Sequence, residues 1–169
     1  AFNDLFQLSL QGGLGGGAST RQASRGHAWH YSLPWGRALL ALDVRQHGSR
    51  QSVAGASQDY VYRGTSASRE ATLSWLVHRD GNSKTTLHAR AFAWQANNFI
   101  DDTEVEVQRR RVGGWQLGAG HRAFLGGGTL ELSLNYQRGT GAFGSIAAPE
   151  EDFGEGSSRF ALVQAGVHV

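Results

Sequence analysis

The chain has 169 residues, with 16 basic and 14 acidic side chains, a formal net charge of +2, two Pro, 24 Gly, and neither Cys nor Met. The missing thiols exclude a disulfide scaffold, a thiolate metal centre and a cysteine nucleophile, and the near-balanced charge argues against nucleic-acid binding. No apolar run reaches the ~18 residues of a membrane helix, whereas abundant glycine with 5 Trp, 4 Tyr and 8 Phe suits many strands and tight turns in a single domain over 1–169.

Eight strands are expected, at roughly 2–14, 27–34, 37–47, 59–78, 84–95, 104–124, 129–138 and 158–169. After the first, Gly12-Gly13-Leu14-Gly15-Gly16-Gly17 reads as a hairpin connection; without a following Lys or helix it is no phosphate cradle. Trp29, Tyr31, Leu33 and Trp35 then share one face opposite Ala28, His30 and Ser32, and Leu40, Leu42 and Val44 oppose Asp43 and Arg45. Ala71 to His78 alternates with one lapse at Leu76, while 84–95 alternates weakly because Phe92 and Trp94 fall on the polar side. Trp115 to Gly120 follows the rule, and Leu130 to Gln137 follows it without a fault. The last strand is weak again, through Phe160 and Leu162. Short turns at Pro34-Trp35-Gly36, Asp80-Gly81-Asn82 and Gly126-Gly127-Gly128 alternate with longer connections near 15–26, 46–58, 96–104 and 139–157. Such a beat describes an antiparallel up-and-down meander.

The polar faces hold Ser, Thr, Asn, Gln, Gly, His and Arg, with one lysine, Lys84, in the chain. A soluble barrel would cover its outside with Lys and Glu, so these are residues of a wet lumen, and the apolar faces look toward lipid. Aromatics near strand ends, at Trp29, Trp35, Tyr60, Trp115 and Tyr136, suit membrane interfaces. The lumen-facing candidates are Asp43, Arg45, Arg90, Glu104, Glu106, Arg110, Arg122 and Glu131. The lipid-facing candidates are Leu40, Leu42, Leu73, Trp75, Trp115, Leu117, Leu130, Leu132, Leu134 and Tyr136. The fold class is therefore all-β, a transmembrane antiparallel β-barrel in a bacterial outer membrane.

Several strings resemble one family in the same order. They are Tyr60-Val61-Tyr62-Arg63-Gly64-Thr65-Ser66 with Leu73 to Arg79, then Asn97 to Asp102, Val107 to Arg111, and Tyr136 to Gly144. The family is that of the two-partner secretion transporters, outer-membrane pores that export haemagglutinin, haemolysin or contact-dependent toxin proteins. The resemblance implies export of a large exoprotein through a sixteen-stranded barrel, with lipid and that exoprotein as partners and no cofactor. It covers about Asn3 to Arg159, the first half of such a barrel, without the family's plug helix, POTRA domains or Val-Arg-Gly-aromatic tip. With the missing Met and an end at Val167-His168-Val169, this implies a truncated or engineered segment without full transport. Because open edges are costly in hydrocarbon, closure into a small eight-stranded barrel is favoured, and two chains completing a sixteen-stranded homodimer are the second route.

Other readings are a natural small barrel acting as pore or adhesin, or a rim enzyme on lipid. For the enzyme, His30 with Ser32, and His121 with Glu131 and Ser133, are the only polar combinations, and no Gly-x-Ser-x-Gly elbow is present. No enzyme is expected, and no catalytic or metal site. Arg109 and Arg111 read as solvated strand ends and Arg110 as part of a lumen ion-pair network. The acidic stretch Glu150-Glu151-Asp152 with Glu155 lacks the spacing of a calcium loop and reads as a solubilising surface loop.

Overall fold

A computed structural model describes residues 3–15, 20–55, 57–148, 151 and 158–169. Its strands are β1 (Leu5–Gly15), β2 (Thr20–Trp35), β3 (Ala38–Ala54), β4 (Asp59–Arg79), β5 (Ser83–Ile100), β6 (Thr103–Glu104), β7 (Arg110–Leu125), β8 (Gly128–Thr140) and β9 (Ala161–His168). They form one antiparallel sheet in the order β1-β2-β3-β4-β5-β7-β8-β9, with the two-residue β6 beside β5. Every expected strand is present, but several run further. β4 has 21 residues and would extend roughly 70 Å.

Residues 22–26 and 46–54, expected as connections, are strand. There both faces are polar, as at Ser24 with Arg25 and Ser49 with Arg50, so the alternation that betrays a strand disappears while the ladder continues. Gly12 to Gly15, read as a connection, likewise pair with Arg25 to Gln22. The expected strand 104–124 begins only at Arg110. Asp101 takes a left-handed φ of 55°, β6 folds back on β5, and Glu106–Gln108 form one 3-10 turn.

The expected eight-stranded closure is not found. β1 pairs with β2 and β9 with β8, and the described residues show no second partner for either. Among the described residues the sheet has no buried hydrophobic core. Leu73, Trp75, Leu117 and Leu134 expose 46%, 53%, 53% and 55% of their surface. An open sheet with half-exposed leucines is the wall of something larger or of something embedded.

Short links join β2–β3 at Gly36 and Arg37, β4–β5 at 80–82 and β7–β8 at Gly126 and Gly127, all at one end of the sheet. Gly36, Gly126 and Gly127 adopt positive φ, as tight hairpins demand. In the middle turn Asp80 accepts hydrogen bonds from the amides of Asn82 (2.8 Å) and Ser83 (2.6 Å), and its other oxygen lies 2.9 Å from His78 Nε2. Leu76 lies on the polar face opposite Thr86 in unbroken register, and a register shift at Val77 then turns His78 onto the apolar side opposite Thr85.

Hydrogen bonding from His78, then from the Asn82 and Ser83 amides, holds the exposed Asp80 carboxyl well below the usual carboxylate range. The depressed value means this turn gains stability above the ordinary carboxylate pKa of ~3.9 and loses it as pH falls through the folded value. An NMR titration should find the Asp80 midpoint below that ordinary value and see it rise in His78→Ala; an unshifted midpoint contradicts the turn geometry.

Candidate functional site

Register partners share a face, so the ladders sort every strand residue onto one of two sides. One row runs Ser32, Ala41, Thr72, Arg90, Gln116, Gln137 across β2 to β8; the next on the same side runs His30, Asp43, Glu70, Phe92. This is the polar face. Opposite lie Leu40, Leu42, Leu73, Trp75, Trp115, Leu117, Leu130, Leu132, Leu134 and Tyr136 together, the apolar face.

Asp43, Arg45, Arg90, Arg110, Arg122 and Glu131 all occupy the polar face. Glu104 and Glu106 do not. Counting by twos placed them beside Arg110 in one strand, but the break before Arg110 destroys that phase. Glu104 lies opposite Phe99, on the same side as Leu87, and accepts a 2.6 Å hydrogen bond from Asn97. Arg109 Nε stands 3.1 Å from Glu104, and Glu106 sits on the exposed 3-10 turn 3.4 Å from Arg109. Tyr60 is also on the polar face, paired with Val53. Glu150, Asp152 and Glu155 lie outside the described residues.

A continuous network crosses the polar face. His30 Nδ1 approaches Asp43 at 3.0 Å, and Arg45 lies 3.5 Å from Asp43 and 3.8 Å from Glu70. Arg90 donates to Glu70 at 3.2 Å and to Gln116 at 2.6 Å. Gln116 and His88 both donate to Asn135 Oδ1, each at 2.9 Å. Arg122 pairs with Glu131 at 2.5 Å nearer the short turns. These groups are about a quarter to a half exposed, so each pair adds little stability; their consequence is a fixed, wet, polar surface.

Glycine makes the long reaches work. His88 in β5 meets Asn135 in β8 across the intervening β7, where Gly118 leaves the space. A Cβ at Gly118 would collide with Asn135 Oδ1 and His88 Nε2. The weak alternation at Phe92 and Phe160 has the same origin: Phe92 packs over Gly114 and beneath Arg90 at 5.5 Å, and Phe160 lies over Gly139. No sequence rule finds this pattern, because it needs the register of neighbouring strands.

The triad readings do not assemble. His121 lies on the apolar face with Thr85 (2.8 Å), opposite in sense to Glu131 and Ser133, and His30 bonds Asp43 with no serine hydroxyl at hydrogen-bond distance among the described residues. The described residues also hold no cluster of three or more His, Asp or Glu fit for a metal.

The model of the haemolysin secretion/activation protein family ShlB/FhaC/HecB matches residues 1–169. The chain belongs to this family. It is 24% identical over 164 residues to the outer membrane transporter CdiB of Dickeya dadantii (strain 3937), covering 95% of this chain and 29% of that protein. The solved CdiB of Acinetobacter baumannii superposes with a TM-score of 0.71 at 29% identity, over 82% of this chain and 26% of that one. CdiB of Escherichia coli gives a TM-score of 0.78 at 18% identity, over 88% and 29%, and shows the fold. The chain thus spans less than a third of the relatives it matches, and the family places it in the bacterial outer membrane.

Gly118→Ala should destabilise the sheet by about 1–3 kcal/mol through overpacking, and Asn135→Ala should relieve part of that loss. Urea unfolding of the four members of the cycle measures it; strictly additive losses contradict contact over Gly118.

Proposed function

We propose that this chain forms part of the wall of an outer-membrane barrel that exports a large secreted protein. The polar face lines the lumen and the apolar face meets lipid. What supports this reading is the combination of a family match over the whole chain with an all-antiparallel sheet whose two faces differ in polarity through the leucine-rich part of the strands. The short turns correspond to the periplasmic end and the longer connections to the cell exterior, the usual arrangement of such barrels. An apolar band only ~25 Å tall is far shorter than β4, so the outer halves of the strands stand clear of the membrane.

The free edges of β1 and β9 carry unpaired backbone groups that cannot remain open in hydrocarbon. Further strands, from whichever polypeptide, therefore complete the ring. A lumen lined by Ser, Gln, His, Asn and neutralised Arg offers a passing polypeptide weak, interchangeable hydrogen bonds. The side chains need no energy source of their own; an unfolded exoprotein that folds outside supplies the direction.

Two outcomes test this. Leu132→Arg places a charge on the lipid side and should weaken insertion by ~2–4 kcal/mol if it lies at the midplane, measured as folding into phosphatidylcholine vesicles; unchanged folding contradicts the assignment. In cells, reversing charge with Arg90→Glu should reduce release of the co-expressed exoprotein while the barrel itself stays folded in the outer membrane. Normal release argues against a conducting role for this face.

A further inference from the structure

Beyond its apolar band, the lipid-side face changes character. Moving from the short turns along each strand, the first formally charged residue on that face is Arg25 in β2, Arg50 in β3, Arg69 in β4, Arg111 in β7 and Arg138 in β8. All five are exposed, and among the described residues none of them meets a carboxylate. On the polar face, by contrast, Arg45, Arg90 and Arg122 each face a carboxylate, from Asp43, Glu70 or Glu131. The described carboxylates that reach the apolar side are engaged or placed elsewhere: Asp4 accepts from Tyr31, Asp59 stands at the outer end of β4, Asp102 lies 3.5 Å from Arg63, and Glu104 is held by Asn97 and Arg109. Arginines without a carboxylate thus gather on the apolar side just outward of Ala71, Trp115 and Tyr136, whereas on the polar face the cations without one, Arg79 and Lys84, sit at the short-turn end.

Two of these arginines flank β5 on this face, across Ala93 and Gln95. Arg69 in β4 is the register partner of Ala93 in β5, and Arg111 in β7 is the partner of the neighbouring Gln95. Arg69, Ala93, Gln95, Arg111 and Phe143 line one cleft. The connection after β8 is laid against it: Ile146 N and Ser145 Oγ both donate to the Arg111 carbonyl, each at 3.1 Å, and Phe143 sits in a left-handed φ of 57° with 67% of its surface exposed. A cationic cleft with an exposed aromatic on its rim and an alanine-lined apolar strip beneath matches an amphiphile with an anionic head.

We propose that this cleft binds the phosphate of a lipid headgroup in the leaflet next to the long connections. The two guanidinium groups clasp the phosphate, since Arg presents paired donors to its oxygens. The acyl chains run down the strip of Ala71, Ala91 and Leu117. This rests on the apolar face being the lipid face, and the proposal adds the headgroup chemistry and the residues that recognise it.

The complete barrel that contains this sheet is inserted into phosphatidylcholine vesicles carrying a minor fraction of phosphatidic acid, extracted in mild detergent, and its retained lipids are counted by native mass spectrometry. Wild type should retain phosphatidic acid in preference to phosphatidylcholine. Arg69→Gln with Arg111→Gln should lose that preference, by about fivefold for each arginine and roughly thirtyfold for both, while inserting normally. Arg79→Gln, at the short-turn end, should leave it intact. Retention by the double variant equal to wild type overturns the proposal, as does an equal loss in Arg79→Gln. Displacement of the lipid by inorganic phosphate at equal concentration overturns the lipid as occupant. Failure of wild type to insert into pure phosphatidylcholine overturns the lipid-face reading beneath it, an outcome distinct from loss of headgroup preference.

Discussion

A backbone amide in hydrocarbon has no water to turn to, so each one must find a partner within the sheet. That constraint explains the long ladders, which run through thirteen to seventeen consecutive pairs between most neighbouring strands with a single register shift at Val77. It also gives the two free edges their meaning. A soluble open sheet would bury one face against helices or a second sheet, whereas among the described residues this one packs strand beside strand, with one 3-10 turn against β5. In the proposed barrel the rest of the ring attaches at the edges of β1 and β9, in keeping with relatives more than three times as long.

Once the backbone is settled, the side chains divide by chemistry. On the polar face, charges are neutralised within the sheet, by Asp43, Glu70 and Glu131, so that the surface is hydrated yet carries little net field. Glycines at 64, 114 and 118 let side chains from strands on either side reach toward one another, Ser49 and Asn98 over Gly64 and His88 and Asn135 over Gly118. A lining built in this way is smooth and fixed in place, because each long side chain lies along the wall instead of projecting from it. On the apolar face the sequence changes from leucine and alanine through tryptophan and tyrosine to arginine in the space of a few residues, the order that the proposed passage from hydrocarbon to headgroup to water requires. Trp115 and Tyr136, with ring centroids 5.5 Å apart, mark that boundary.

Where a strand separates two unlike solvents, its sequence announces it. Leu130 to Gln137 could be assigned to faces residue by residue, and Asp43, Arg45, Arg90, Arg110, Arg122 and Glu131 fell together on one side. Where both sides are wet, as in residues 46–54, the period vanishes and the strand reads as a loop. Glu104 and Glu106 were misplaced for another reason: counting by twos is valid only within one unbroken strand, and the Asp101 turn and 3-10 turn reset the phase. The links from Arg90 to Gln116 and from His88 to Asn135 join residues 26 and 47 positions apart, beyond any local pattern. Closure is not found among the described residues: the cost of an open edge is visible in the sequence, whereas what covers that edge is not.

The absence of cysteine allows the central claim, polar face to lumen and apolar face to lipid, to be read along one strand. Single cysteines at positions 130 to 137 of β8, spin-labelled in the membrane-inserted protein, should alternate strictly. Labels at 130, 132, 134 and 136 should collide with lipid-soluble oxygen, and labels at 131, 133, 135 and 137 with a water-soluble nickel chelate. Equal chelate access at all eight positions, or alternation in the opposite phase, would contradict it.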